Sequence, residues 1–121
     1  MPFDKTKNKQ TGGEGEEIAA RYLETRGYKI IDRNVEFSFG EIDILAQIKK
    51  TIVIVEVKTV RGGGFGRAVD LVRFAKQNKL KLLARAVEQK YPSSTVRIDV
   101  IGVTWPGSEP TIEHIESAVE G

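Results

Sequence analysis

The chain has 121 residues, enough for one domain with its own core and too few for two complete ones. It holds no cysteine and one histidine, His114, which excludes a disulfide framework, a thiolate zinc site and a cysteine nucleophile. Any metal ion must then be held by carboxylates, a donor set suited to hard ions such as magnesium or manganese. Lys and Arg number 19 against 17 Asp and Glu, a formal charge of +2 and a mild bias toward anionic partners.

The Lys-rich residues 1–11 read as a flexible basic tail ahead of a single domain over 12–121. This polar start lacks the apolar core of a signal peptide, and no apolar run approaches the roughly 20 residues that span a bilayer. The expectation is a cytoplasmic protein with no membrane partner. From about Gly13 to Arg26 the spacing predicts a helix that stops at Gly27, a residue suited to a left-handed cap. "YKIIDRNVEF" reads as a short strand and turn, and "GEIDILAQI" as a second strand. The polar pair Lys49-Lys50 turns the chain into a third strand, "TIVIVEVKT". A glycine loop, "RGGGFGR" at 61–67, leads to a long helix over about Ala68 to Gln89, stopped by Pro92. "TVRIDVIGV" is a fourth strand, and "TIEHIESAV" closes the chain as a strand or short helix. The order α-β-β-β-α-β implies an α/β sandwich, a mixed central sheet flanked by helices.

Several charged residues interrupt these apolar patterns. Side chains alternate along a strand, so Glu41 and Asp43 share one face of the second strand while Ile42, Ile44 and Ala46 take the other. In the third strand Ile52, Ile54, Glu56 and Lys58 share a face, the last two about 6.5 Å apart. If Lys49-Lys50 closes a hairpin, Asp43 and Glu56 meet at its open end, and two carboxylates converge with an ammonium. Such a pair repels unless a cation relieves it; a solvated Glu-Lys pair at a hairpin end would carry the same letters. Glu16 falls among Ala19, Ala20 and Leu23 on the apolar side of the first helix, away from Glu17, Arg21 and Glu24, although a first-turn Glu also suits the helix dipole. In the long helix the stripe Val69, Val72, Leu80, Leu83, Val87 lacks one member, and Lys76 stands there. It either snorkels out or reaches the acidic groups. Arg73, Lys79 and Lys81 are placed to meet phosphates or simply to face solvent. Arg97 and Asp99 share a face of the fourth strand and read as a salt-bridged pair.

An acidic residue on a first helix, an Asp on one strand and Glu-x-Lys on the next resemble the D-(D/E)xK constellation of restriction-endonuclease-like nucleases. The ordered strings "GEEIAARYLETRGYKIIDRN", "GEIDILA", "VEVKT", "FGRAVD", "KQNKL" and "RIDVIGV" look like the YraN family of small bacterial proteins, over roughly residues 12–103. The resemblance implies a restriction-endonuclease-like fold, similar to the archaeal Holliday-junction resolvases, and phosphodiester cleavage with magnesium or manganese. It implies Asp43 and Glu56 as metal ligands, the Val57 carbonyl as a third, and Glu16 completing the shell directly or through water. Lys58 would orient or help deprotonate the attacking water, and Glu16, Asp43, Glu56 and Lys58 together form the expected catalytic set. One departure stands out: where the family often has Arg two residues after the motif Lys, this chain has Val60, with Arg61 next and on the opposite face of a continuing strand. The glycine loop would let backbone approach a nucleic-acid strand, with Arg61 and Arg67 at its rims, or would serve only as a connector.

The expected function is a magnesium-dependent endonuclease acting on DNA, branched or single-stranded, with Lys76, Lys79, Arg61, Arg67 and Arg73 as candidate nucleic-acid contacts. The resemblance to resolvases also admits a homodimer. Two other classes fit the same letters: a non-catalytic nucleic-acid-binding module on the same fold, and a protein-interaction domain whose acidic cluster is a relic.

Overall fold

The computed structural model describes residues 13–61, 68–75 and 78–119, and for Arg61, Ala68, Val69, Asn78 and Lys79 the backbone alone. The expected basic tail, Arg67 and Lys76 lie outside the described residues, and so do the side chains of Arg61 and Lys79.

Helix α1 spans Glu14–Thr25. Its buried residues Ala19, Ala20 and Leu23 recur at helical spacing, so a single stripe faces the protein. Glu14, Glu16 and Glu17 fill the first turn, where the exposed amides favour negative charge. The helix ends as expected at Gly27, which has φ of 92°. The Gly27 and Tyr28 amides donate back to the carbonyls of Glu24 and Leu23, a Schellman closure that only a left-handed residue allows cheaply.

Five strands follow the chain order across one sheet: β1 (Lys29–Phe37), β2 (Gly40–Ile48), β3 (Thr51–Arg61), β4 (Thr95–Trp105) and β5 (Thr111–Ile115). Pairs β1·β2, β2·β3 and β4·β5 are antiparallel, and β3·β4 is parallel. The β2·β3 hairpin turns at Lys49-Lys50, with Lys49 left-handed at φ 53°. Between the parallel strands run α2 (Ala68–Ala75) and α3 (Asn78–Lys90). The expected order therefore stands, with the second helical region described as two segments and the final segment formed as a strand.

Alternation in β3 divides the core between two layers. Ile52 and Ile54 pack with Leu71, Ala75, Leu80, Leu83 and Val87 of α2 and α3. Val53 and Val55 pack on the other side with Ala19, Ala20 and Leu23 of α1. Ile98 and Val100 join the first cluster and Ile101 and Val103 the second, so the sheet is covered on both faces.

Two local expectations need correction. Ile42, Ile44 and Ala46 do not share one environment: Ile42 packs beneath α2 and α3, while Ile44 and Ala46 pack against α1. The alternation slips where β2 parts from β3, whose pairing ends at Ile44 with Val55, and opposite Asn34 of β1, which has φ of 53°. The stripe expected through Val72 is also displaced on α2. Leu71 and Ala75 are fully buried and Val72 only half-buried, so α2 buries a face one residue round from the expected one.

Candidate active site

The candidate site forms where the β2·β3 hairpin opens. Past Ile44 and Val55 the backbones no longer pair, and the ladder hydrogen bond is replaced by a side chain: the Val57 amide donates to Asp43 Oδ2 at 2.8 Å. The Asp43 carboxyl also stands in hydrogen-bonding contact with that of Glu56. Glu56 is only 5% exposed, because β3 carries it in line with Ile52 and Ile54 onto the face covered by α2 and α3. Burial, followed by the nearby charge of Glu56, pushes the Asp43 carboxyl up to about 8, against the hydrogen bond from Val57. Near neutral pH this acidic pair therefore retains a proton.

Glu16 arrives from α1. Its carboxyl is raised from the usual range, first by burial and then by the charge of Asp43, while a hydrogen bond from Asn34 Nδ2 to Glu16 Oε1 at 3.0 Å works the other way. Glu41 adds to the negative field felt by both Glu16 and Asp43. Its Oε2 is buried with no hydrogen-bond partner among the described residues. Lys58, two residues beyond Glu56, is half-buried with Nζ 5.3 Å from the centre of the Phe74 ring, in the range of a cation–π contact. Arg73, the preceding residue of α2, is exposed.

Glu16, Asp43, Glu56 and Lys58 are thus gathered at one end of the sheet, and Arg73 lies on the helix that carries the Lys58 partner. Among the described residues, no three His, Cys, Asp or Glu side chains converge closely enough to hold a metal ion by themselves. The donors still suit a hard cation. Asp43 and Glu56 supply adjacent carboxylates whose retained proton a cation would replace, and magnesium commonly binds through one or two carboxylates plus water and phosphate oxygens. Two residues were missed by sequence reasoning as members of the site, Asn34 and Glu41. Asn34 had left a signal, a poor strand former in the middle of an otherwise strand-like run.

A second polar cluster lies on the α1 side of β4. Asp99 is fully buried and accepts from Arg97 Nε and Nη2, both at 2.9 Å, from His114 Nε2 at 2.8 Å and from the Ser117 amide at 3.0 Å. With Nε2 donating to Asp99, His114 Nδ1 accepts from the Tyr22 hydroxyl at 3.2 Å. Burial works to raise the Asp99 carboxyl, but His114, Arg97 and the Ser117 amide hold it below its ordinary value. The expected Arg97–Asp99 pair is present, built into a network that joins α1, β4 and β5.

A family profile described as "Uncharacterised protein family UPF0102" matches residues 15–103. The chain belongs to this family. A UPF0102 protein of Clavibacter michiganensis is 43% identical over 116 residues, covering 93% of this chain and 98% of the relative. Another, from Geobacter metallireducens, is 43% identical over 115 residues and covers 93% and 94% of the two chains. All the site residues from Glu16 to Lys58 fall inside the UPF0102 match. Among solved structures, SfsA of Pyrococcus furiosus in complex with Ca2+ is similar at a TM-score of 0.36 and 17% identity, over 93% of this chain. This chain spans 65% of the length of that protein. No described helix is long and apolar enough to cross a membrane.

Proposed function

We propose that this UPF0102 protein is a divalent-cation-dependent nuclease that hydrolyses DNA phosphodiester bonds, with branched DNA as the expected substrate class. The observation that carries the reading is the buried Asp43–Glu56 carboxyl pair, hydrogen-bonded at the mouth of a hairpin with Lys58 two residues farther along the same strand. Without a cation, burying two carboxyls together costs stability and one must keep a proton. The resemblance to D-(D/E)xK nucleases supports the same assignment.

Asp43 and Glu56 would hold magnesium or manganese, with Glu16 reaching it through water and the Val57 carbonyl as a further donor. A cation held there supplies a lowered water pKa and a counter-charge for the phosphoryl oxygens. Lys58 orients the attacking water and offsets the charge that grows on the phosphorane. Its contact with Phe74 restricts the ammonium without neutralising it. Arg73, exposed on α2, would take a neighbouring phosphate, and the candidate contacts Arg61, Arg67, Lys76 and Lys79 belong to the same proposal.

The test is incubation with branched, flapped and single-stranded DNA in magnesium or manganese, with Asp43→Ala as control. Cleavage by the wild type and none by the variant is expected; cleavage that persists in the variant removes the site assignment. A second reading, a DNA-binding module without hydrolysis, is favoured by Val60 at the position where the family often has Arg. It predicts salt-sensitive DNA binding with no product across the whole substrate panel.

A further inference from the structure

In β1, Arg33 pairs with Ile44 and Val35 with Ile42, which sets Asn34 directly opposite Asp43. Asn34 has φ of 53°, a left-handed conformation in the middle of a strand, and is only 8% exposed. Left-handed backbone is uncommon outside glycine and interrupts strand geometry, although Asn tolerates it better than most residues. The only side-chain hydrogen bond described for this amide runs from Nδ2 to Glu16 Oε1, linking strand to helix. A half-buried carboxylate on the first turn of α1 would otherwise be drawn toward solvent.

We infer that Asn34 is a positioning residue: its left-handed backbone turns the side-chain amide onto Glu16 and holds that carboxylate toward the Asp43–Glu56 pair. The inference builds on the cation-binding reading above and assigns the geometry of its third carboxylate to a residue that touches neither the cation nor the substrate. It also accounts for an otherwise costly conformation at this point of β1. If left-handed backbone alone were required, glycine would serve at least as well.

That contrast supplies the test. Asn34→Gly keeps the left-handed backbone and removes the amide, and Asn34→Asp keeps a tolerant residue but places a like charge against Glu16. Manganese and magnesium titrations by calorimetry are run on the wild type, both variants, Glu16→Gln and the Glu16→Gln/Asn34→Gly double variant. Asn34→Gly is expected to bind the cation about tenfold more weakly, Asn34→Asp more weakly still, and the loss is expected to vanish in the Glu16→Gln background. Wild-type affinity in Asn34→Gly, or an equal loss with and without Glu16, overturns the inference.

A cation-free readout separates this inference from the nuclease reading. The 13C resonance of the Asp43 carboxyl is expected to move on Glu16→Gln, and to move much less when Asn34 is already Gly. If that coupling is present while the wild type binds no cation even with branched DNA, the positioning role holds and the nuclease reading fails. If Glu16→Gln moves Asp43 equally in both backgrounds, Asn34 does not position Glu16.

Discussion

Asp43 holds its proton to about pH 8 because it is buried and lies beside Glu56, whereas its ordinary value is 3.8. Between those values the folded protein binds the proton more tightly than the unfolded chain does, so raising the pH favours unfolding. The metal-free protein should therefore lose stability as pH climbs from about 4 to about 8, the reverse of a salt-bridged carboxylate. Asp43→Asn preserves an acceptor for the Val57 amide while removing the titrating group. Urea denaturation at pH 5 and pH 9 is expected to show a smaller difference for the variant, with a gain at pH 9 on the order of 1–3 kcal/mol. A cation entering the pair must displace the proton. Magnesium binding at pH 7 is accordingly expected to release close to one proton, measurable as a dependence of the calorimetric heat on buffer ionisation enthalpy.

At the level of elements, α1 delivers Glu16 only because its first turn touches β3. A Cβ on Gly15 would overlap Thr59 Oγ1 and stand 3.2 Å from Thr59 Cβ, so the Thr59 side chain or the helix would have to shift. Gly15→Ala is expected to destabilise the fold by about 1–3 kcal/mol. Thr59→Ala, which removes the overlapping hydroxyl, should restore part of that loss in the double variant, as read by thermal and urea midpoints. The existence and order of these elements were legible in the sequence because each has a strong local signature: the helical stripe capped by Gly27, the Lys49-Lys50 turn, and the β-branched run of β3. The meeting of Asp43 with Glu56 followed from strand parity across that turn. What the sequence withheld depends on departures from regular geometry. Period-two reasoning through β2 assumes an unbroken pleat, and the slip between Ile42 and Ile44 lies where pairing with β3 stops. Period-3.6 reasoning carries the buried stripe of α3 back to Val72, yet α2 buries Leu71 and Ala75. The left-handed backbone of Asn34 leaves no periodic trace either, only the presence of a poor strand former in a strand-like run.

Across the whole molecule, the carboxylates of the candidate site and Lys58 come from a contiguous stretch between Glu16 and Lys58, one helix and an antiparallel meander. The remaining strands are joined through the long parallel crossover, in which Thr51 pairs with Thr95, and the Asp99 network then fastens β5 and the following turn onto β4. In terms of folding order, hairpin contacts close short loops and form early, whereas parallel pairing must first close a long one. The acidic mouth should therefore take shape before the sheet is complete, with negative charges gathered while α2 and α3 have yet to cover them. Truncations such as Ile44→Val in the meander are expected mainly to slow refolding, and Asp99→Asn mainly to speed unfolding, a pattern that stopped-flow kinetics on the two variants would test. A chain that assembles its repulsive centre first gains from any cation present at that moment, so magnesium should act on the rate of folding as well as on the finished protein.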